Sequence, residues 1–171
     1  KLTEIVIWSV MEDAVRILSA QSDFVVSLNF SADDIKTEKA ALKLIRMARD
    51  RGIDPKRFVV EITETGLLSG EQFEAVRLLR QAGAAVAMDD FGTGYSSMAT
   101  LMKLELDCLK IDRLFVESIG KGSATSQVVN HMIEMARSLK LEVTAEGVET
   151  QAQADYLRAR GVEHAQGFLF G

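Results

Sequence analysis

One cysteine in 171 residues, Cys108, excludes an intrachain disulfide framework, and a small buried thiol is its expected use. The one proline, Pro55, falls between two predicted elements, where it interrupts neither a helix nor a strand. No apolar run approaches the ~20 residues that span a bilayer. The apolar start at Ile5–Val10 is broken by Ser9 and followed by Glu12 and Asp13, so it reads as one face of a helix rather than a signal peptide. Positive charge is not in excess. A net charge of −5 supplies no basic stripe for a DNA or RNA polymer, yet it leaves room for a small anionic substrate, because carboxylates gathered around metal ions make a locally neutral or positive site. The sequence also lacks a Walker loop, a dinucleotide Gly-x-Gly-x-x-Gly and a serine nucleophile elbow. His131 and His164 lie far apart with no cysteine pair beside them, which excludes a zinc set. Residue 1 is lysine rather than methionine, so an upstream region remains open.

What is present is the composition of a folded domain, with 47% hydrophobic and 26% charged residues and no low-complexity linker. The spacing predicts an amphipathic helix over residues 5–20, with Ile7, Met11, Ala14 and Leu18 or Ile17 inward. Short β-branched runs predict strands at Phe24–Asn29, Phe58–Ile62, Ala85–Asp89, Cys108–Ile111, Leu141–Ala145 and His164–Gln166. Helices alternate with them. One is capped by Thr37, closed by Gly52 and packed through Leu44, Ile45 and Ala48. Another opens on a Ser69–Gln72 capping box, packs through Phe73, Val76 and Leu79, and ends near Gly83. A short helix spans Met98–Lys103, a longer one Ser126–Leu139 packs through Val129, Met132, Ile133 and Ala136, and Thr150 with Gln153 caps the last, which ends at Gly161. Ile119–Ser123 reads as a flexible loop, and Trp8 and Met11, Met47, Met98, Met102, Met132 and Met135 as packing residues. Six strands alternating with helices indicate an α/β protein of parallel βα units. An open doubly wound sheet and a TIM-type (β/α)8 barrel both satisfy the pattern; nearly every strand ends in an acid, an amide or a lysine, which favours the barrel, where strand ends share one mouth. At this length about two barrel units would be absent.

The strand ends carry the chemistry. Asp89 and Asp90 follow the apolar Ala85–Met88, and adjacent carboxylates at a dry strand end repel one another unless a cation or donor offsets them. A divalent metal answers that need; an acidic helix entry is the plainer use. Glu61 interrupts a strand and is a ligand candidate or half of a surface ion pair, while Glu64 lies just past it, suited to fixing a loop or to a salt bridge. Asn29 can offer its carbonyl oxygen to a hard cation or cap the next helix. Lys110 and Asp112 share a strand parity and can work beside a metal or form a structural ion pair. Glu146 is a ligand or general-base candidate, Glu149 its orienter, and Gln166 a substrate contact or a loop hydrogen bond.

Taken in order, Asn29-Phe30-Ser31, Glu61-Ile62-Thr63-Glu64, Asp89-Asp90-Phe91-Gly92-Thr93-Gly94-Tyr95-Ser96-Ser97, Leu109-Lys110-Ile111-Asp112, Ala145-Glu146-Gly147-Val148-Glu149 and Gln166-Gly167 closely resemble the EAL-domain family of bacterial cyclic di-GMP phosphodiesterases. The resemblance implies a barrel whose first strand is antiparallel to the rest and a mouth that binds two Mg2+ or Mn2+ ions. It implies Asn29, Glu61, Asp89, Asp90 and Glu146 as metal ligands, Lys110 and Asp112 near the hydrolytic water, and Glu149 and Gln166 in support. Glu64 would anchor the loop from Phe91 through Gly92, Thr93, Gly94, Tyr95 and Ser96 to Ser97, which in the family couples the site to dimerisation. The implied reaction is hydrolysis of cyclic di-GMP to linear pGpG, by a water that the metals acidify and aim at phosphorus.

The Glu-Ala-Leu tripeptide that names the family, with the first two strands, is expected upstream of Lys1, and the last helix beyond Gly171. The chain therefore reads as a single EAL-type domain over residues 1–171, truncated at both ends, with little activity expected of this stretch alone. The resemblance further implies a cytoplasmic domain, a homodimer, and a longer protein with sensory, receiver or GGDEF domains that is soluble or attached to the inner membrane. Two alternatives stand beside the enzyme: a receptor that binds cyclic di-GMP without hydrolysing it, and a partner-binding module.

Overall fold

A computed structural model of the chain describes residues 2–20, 24–63, 70–92, 98–121 and 124–171. The chain forms two compact units, Lys1–Ala87 with Ser96–Leu106, and Met88–Tyr95 with Asp107–Gly171.

In the first unit, α1 (Leu2–Ala20) buries Ile7, Met11 and Ala14, spaced as one helical face requires. Trp8 is one residue past Ile7, about 100° round the helix, and is 56% exposed, so the packing role expected of it is not realised. Ile17 is likewise exposed. Strand β1 (Val26–Phe30) starts later than predicted, because Phe24 and Val25 precede it exposed. It is followed by a helix the periodicity did not suggest: α2 (Ala32–Ile35), opened by a Ser31–Asp34 capping box in which the Ser31 amide donates to Asp34 Oδ2 at 2.9 Å. With α2 taking up the preceding residues, α3 (Lys39–Asp50) starts after Glu38, and Thr37 is not its cap. Leu44, Ile45 and Ala48 are buried as predicted, and the Gly52 amide closes the helix on the Arg49 carbonyl.

Asp54 caps the single 3-10 turn Pro55–Arg57 that leads into β2 (Phe58–Thr63). β1 and β2 pair in parallel, with Asn29 opposite Glu61. Phe58, Val60 and Ile62 point into the core while Val59, Glu61 and Thr63 are half-buried, the alternation that a period of two demands. The next helix, α4 (Gly70–Ala82), buries Ala75, Val76 and Leu79, with Phe73 half-buried; the predicted Ser69 cap lies outside the described residues. After β3 (Ala85–Phe91) the first unit resumes with α5 (Met98–Lys103), where Met102 is 69% exposed rather than packed.

β3 contributes to both units, its residues through Ala87 to the first and from Met88 to the second. The second unit continues with β4 (Cys108–Ile111), α6 (Arg113–Val116), α7 (Ala124–Ser138), β5 (Glu142–Ala145), α8 (Gln151–Arg158) and β6 (His164–Ala165). Its core joins Leu109 and Ile111 to Val129, Ile133, Ala136, Val143 and Leu157. Ile119 is buried in the same core, so the segment read as a flexible loop is held at its start; Gly122 and Ser123 lie outside the described residues. α6 was not foreseen: the Asp112 carboxylate ends β4 by accepting from the Leu114 amide at 2.8 Å. The Thr150–Gln153 box forms as predicted.

Sheet order follows chain order from β1 to β6, and the β1/β2, β4/β5 and β5/β6 pairings are parallel. Among the described residues, no helix is long and apolar enough to cross a membrane.

Candidate active site

β3 continues through Phe91, past the predicted strand end at Asp89, so Asp90 is a strand residue as well. Val86, Ala87 and Met88 ahead of them are fully buried, which delivers both acids to the end of an apolar strand. At Asp90 the backbone enters the left-handed region with φ 53°, a conformation that aspartate tolerates better than most residues and that concentrates at functional positions. Asp89 accepts from the Asp90 amide at 3.1 Å and from Lys110 Nζ at 3.1 Å.

Lys110 is the centre of the second unit's polar cluster. It occupies β4 between the core residues Leu109 and Ile111 and is only 6% exposed. A lysine in that position needs partners to offset the loss of water. It finds Asp89 on one side and Glu146 on the other, with Nζ 2.6 Å from Glu146 Oε1. Glu146 directly follows β5, and its amide extends the β4/β5 pairing by donating to the Ile111 carbonyl at 3.0 Å. Gln166, just after β6, donates its side-chain amide to the same Glu146 oxygen at 2.8 Å. The parallel register that sets Ile111 opposite Ala145 is thus what brings Lys110, Glu146 and Gln166 together.

Asp112 lies just past the end of β4, where its carboxylate caps α6. It also acts on Asp90. Burial pushes the Asp90 carboxyl above the ordinary aspartate range, the Asp89 and Asp112 charges push it further, and Lys110 offsets part of the rise. Glu149 pairs with Arg113, Nη2 to Oε1 2.8 Å. The sequence reading passed over Arg113, and also one role of Gln153: its side-chain oxygen accepts from the Glu149 and Thr150 amides at 2.9 Å each, and its nitrogen donates to the Val116 carbonyl at 3.2 Å. The capping-box spacing revealed the bond from the Thr150 amide; nothing local signalled the one to Val116.

Gly92 ends the described part of the loop after β3. Its φ of 94° favours glycine, and a Cβ there would lie 2.2 Å from the Met132 methyl, so a side chain would also displace that methionine. Glu64 and Thr93, Gly94, Tyr95, Ser96 and Ser97, the predicted anchor and the rest of its loop, lie outside the described residues. In the first unit, Asn29 and Glu61 occupy neighbouring register positions on β1 and β2. The Cys108 thiol is pushed up by burial and lies 3.4 Å from Thr144 Oγ1, the setting of a packed thiol rather than a nucleophile.

The donor chemistry fits hard divalent cations. Asp89, Asp90 and Glu146 in the second unit offer only oxygen, as Asn29 and Glu61 do in the first, which suits Mg2+ or Mn2+ over softer ions, and the burial and neighbouring charges that raise Asp90 are the load a cation would relieve. Among the described residues no three acidic, histidine or cysteine side chains are already gathered as a cage, and within the second unit Lys110 supplies the offsetting charge.

Fold and site together define an α/β protein of sequential βα units with carboxylates, an amide and a buried lysine at its strand ends. The family model "EAL domain" matches residues 1–171, and the chain belongs to the EAL-domain family. It is 36% identical over 170 residues to the probable cyclic di-GMP phosphodiesterase PdeB of Escherichia coli, covering 99% of this chain and 32% of that protein. The PaMucR phosphodiesterase in complex with c-di-GMP superposes with a TM-score of 0.90 at 30% identity, covering 99% of this chain and 76% of that one. Klebsiella pneumoniae BlrP1, solved as a complex with manganese and c-di-GMP, matches at 27% identity and a TM-score of 0.77, covering 93% of this chain and 40% of that one. The fold is therefore the parallel (β/α)8-type barrel fold of the EAL kind, as the strand ends suggested, and the chain is closely related to bacterial cyclic di-GMP phosphodiesterases. The chain spans about a third or less of the length of the curated relatives it matches first.

Proposed function

We propose that the protein carrying this domain hydrolyses cyclic di-GMP to linear pGpG with two divalent cations, Mg2+ or Mn2+. The observation that carries the reading is the buried Lys110 clasped by Asp89 and Glu146 at the strand ends, in a chain of this family. Asn29, Glu61, Asp89, Asp90 and Glu146 would hold the cations, which supply Lewis-acid charge to the phosphodiester and an acidified water. The remaining work falls to the protein's own groups. Lys110 carries a fixed positive charge where phosphate charge must be stabilised, and it orients two carboxylates that would otherwise repel. Gln166 donates to the same Glu146 oxygen that Lys110 holds and so helps to fix that carboxylate. Asp112, tied to the Leu114 amide, is a fixed acceptor beside Asp90.

The test is nucleotide chromatography on the full-length protein with cyclic di-GMP and Mg2+ or Mn2+, beside Glu61→Gln. Formation of pGpG by the wild type and its loss in the variant is the expected result. Undiminished turnover by Glu61→Gln would remove Glu61 from the metal set. Tight binding of cyclic di-GMP with no pGpG would assign the protein as a receptor.

A further inference from the structure

Lys110 is joined to Glu146, and Arg113, three residues after Lys110, is joined to Glu149, three residues after Glu146. The ends of the adjacent parallel strands β4 and β5 are thus clasped twice at the same spacing. The first clasp is buried. In the second, the side chains of Arg113 and Glu149 are 52% and 37% exposed, and an exposed ion pair of this kind contributes little to stability. Its geometry nonetheless exceeds that of a surface pair. The Arg113 stem lies directly on the Gly147 backbone: a Cβ at Gly147 would be 2.6 Å from Arg113 Cβ and 2.3 Å from its Cγ, and Gly147 holds φ 67°. The guanidinium then divides between Glu149 and Glu117 of its own helical region. On the opposite side, the Val148 amide donates to the Gln166 carbonyl at 3.0 Å, and Gln153 holds the Glu149 amide. Residues 146–149 are therefore held by several elements; Lys110 and the Ile111 carbonyl fix Glu146 itself, and Arg113 extends the same segment's hold to Gly147 and Glu149.

We infer that Arg113 is a positioning residue for the reaction: by lying across Gly147 and pairing with Glu149, it sets where Glu146 presents its carboxylate relative to Lys110. The inference rests on the hydrolytic reading above. Arg113→Met keeps the stem on Gly147 and removes only the charge, while Arg113→Lys restores the charge without the planar fork. In the full-length protein, Arg113→Met should leave the melting temperature nearly unchanged and lower kcat about ten- to a hundredfold, the range seen when a group that orients a metal-ligating side chain is lost. KM should move less than kcat, and Arg113→Lys should recover part of the loss. In a double-mutant cycle, Arg113→Met should cost little further in a Glu149→Gln background.

Hydrogen exchange across 146–150 supplies a readout independent of turnover, and it should quicken in Arg113→Met. Unchanged kcat, additive losses in the cycle, or unchanged exchange would each overturn the positioning role while leaving wild-type hydrolysis intact. A wild type that forms no pGpG would overturn the hydrolytic reading and the positioning role of Arg113 with it; the exchange measurement would then report the clasp as structural.

Discussion

At the scale of single residues, charge is held at the strand ends against its own repulsion, and two substitutions separate the parts. Lys110→Met removes the amine that Asp89 and Glu146 share and leaves two carboxylates facing each other at the end of the sheet. We expect kcat for cyclic di-GMP to fall by about a hundredfold or more, as when one preorganised donor is lost, measured by pGpG formation with saturating Mn2+. Asp90 shows the opposite balance. Its carboxyl is raised by burial and by Asp89 and Asp112, so the folded state binds its proton more tightly than the unfolded chain does. The stability it contributes is present below the unfolded aspartate pKa, about 3.9, and is lost as pH rises through the higher folded value. Asp90→Asn, which also tolerates a φ of 53°, should therefore melt a few degrees above the wild type at neutral pH in EDTA. The gap should shrink as pH falls below the aspartate range. A gap independent of pH would mean that the carboxylate is not the strained group. The variant should at the same time lose stabilisation by Mn2+, because the charge that burdens the metal-free state is the charge a cation uses.

At the scale of elements, Gln153 joins the loop before α8 to the end of α6. It is 8% exposed, and removing its three side-chain hydrogen bonds frees the Glu149 and Thr150 amides and leaves the buried Val116 carbonyl without this donor. Gln153→Ala should cost about 2 kcal/mol in urea unfolding, combining a lost cap with unsatisfied polar groups. Gln153→Glu, which keeps the acceptor, should cost less. This element also marks how far the sequence could be read. Strands with clean apolar runs, such as Ala85–Met88 in β3, and helices with a strong stripe, such as α7, were legible because burial writes a period directly into the residues. The two four-residue helices α2 and α6 were not, since so short a segment shows no period and only its cap betrays it. Asp112 was read in part for that reason: strand parity grouped it with Lys110, and both act on Asp90, but its capping bond to the Leu114 amide was not foreseen. The site acids were visible because a carboxylate at the end of an apolar strand is costly without a purpose. Arg113 was invisible because exposed arginines are common, and its contact with Gly147 depends on which strands are neighbours.

At the scale of the whole molecule, the proposed ligands are distributed along the chain, with Asn29 and Glu61 in the first compact unit and Asp89, Asp90 and Glu146 in the second. Each unit has its own core, so the two need not unfold together. Cation binding offers a way to ask whether they act as one. If both sets ligate, Mn2+ must stabilise the folded state by mass action, about 2.7 kcal/mol at a hundred times the dissociation constant, and the gain must depend on ligands from each set. In the full-length protein we expect Mn2+ to raise the melting temperature in a saturable way, and we expect Glu61→Gln and Asp89→Asn each to abolish most of that rise. Hydrogen exchange sharpens the test, because Mn2+ should then slow exchange in β2 and in the Glu146–Glu149 segment over the same concentration range. Protection confined to the second unit, with Glu61→Gln responding to Mn2+ like the wild type, would reduce the site to Asp89, Asp90 and Glu146. That outcome would count against a two-metal reaction, since three carboxylates and a lysine already committed to two of them leave too few oxygens to hold a pair of hard cations.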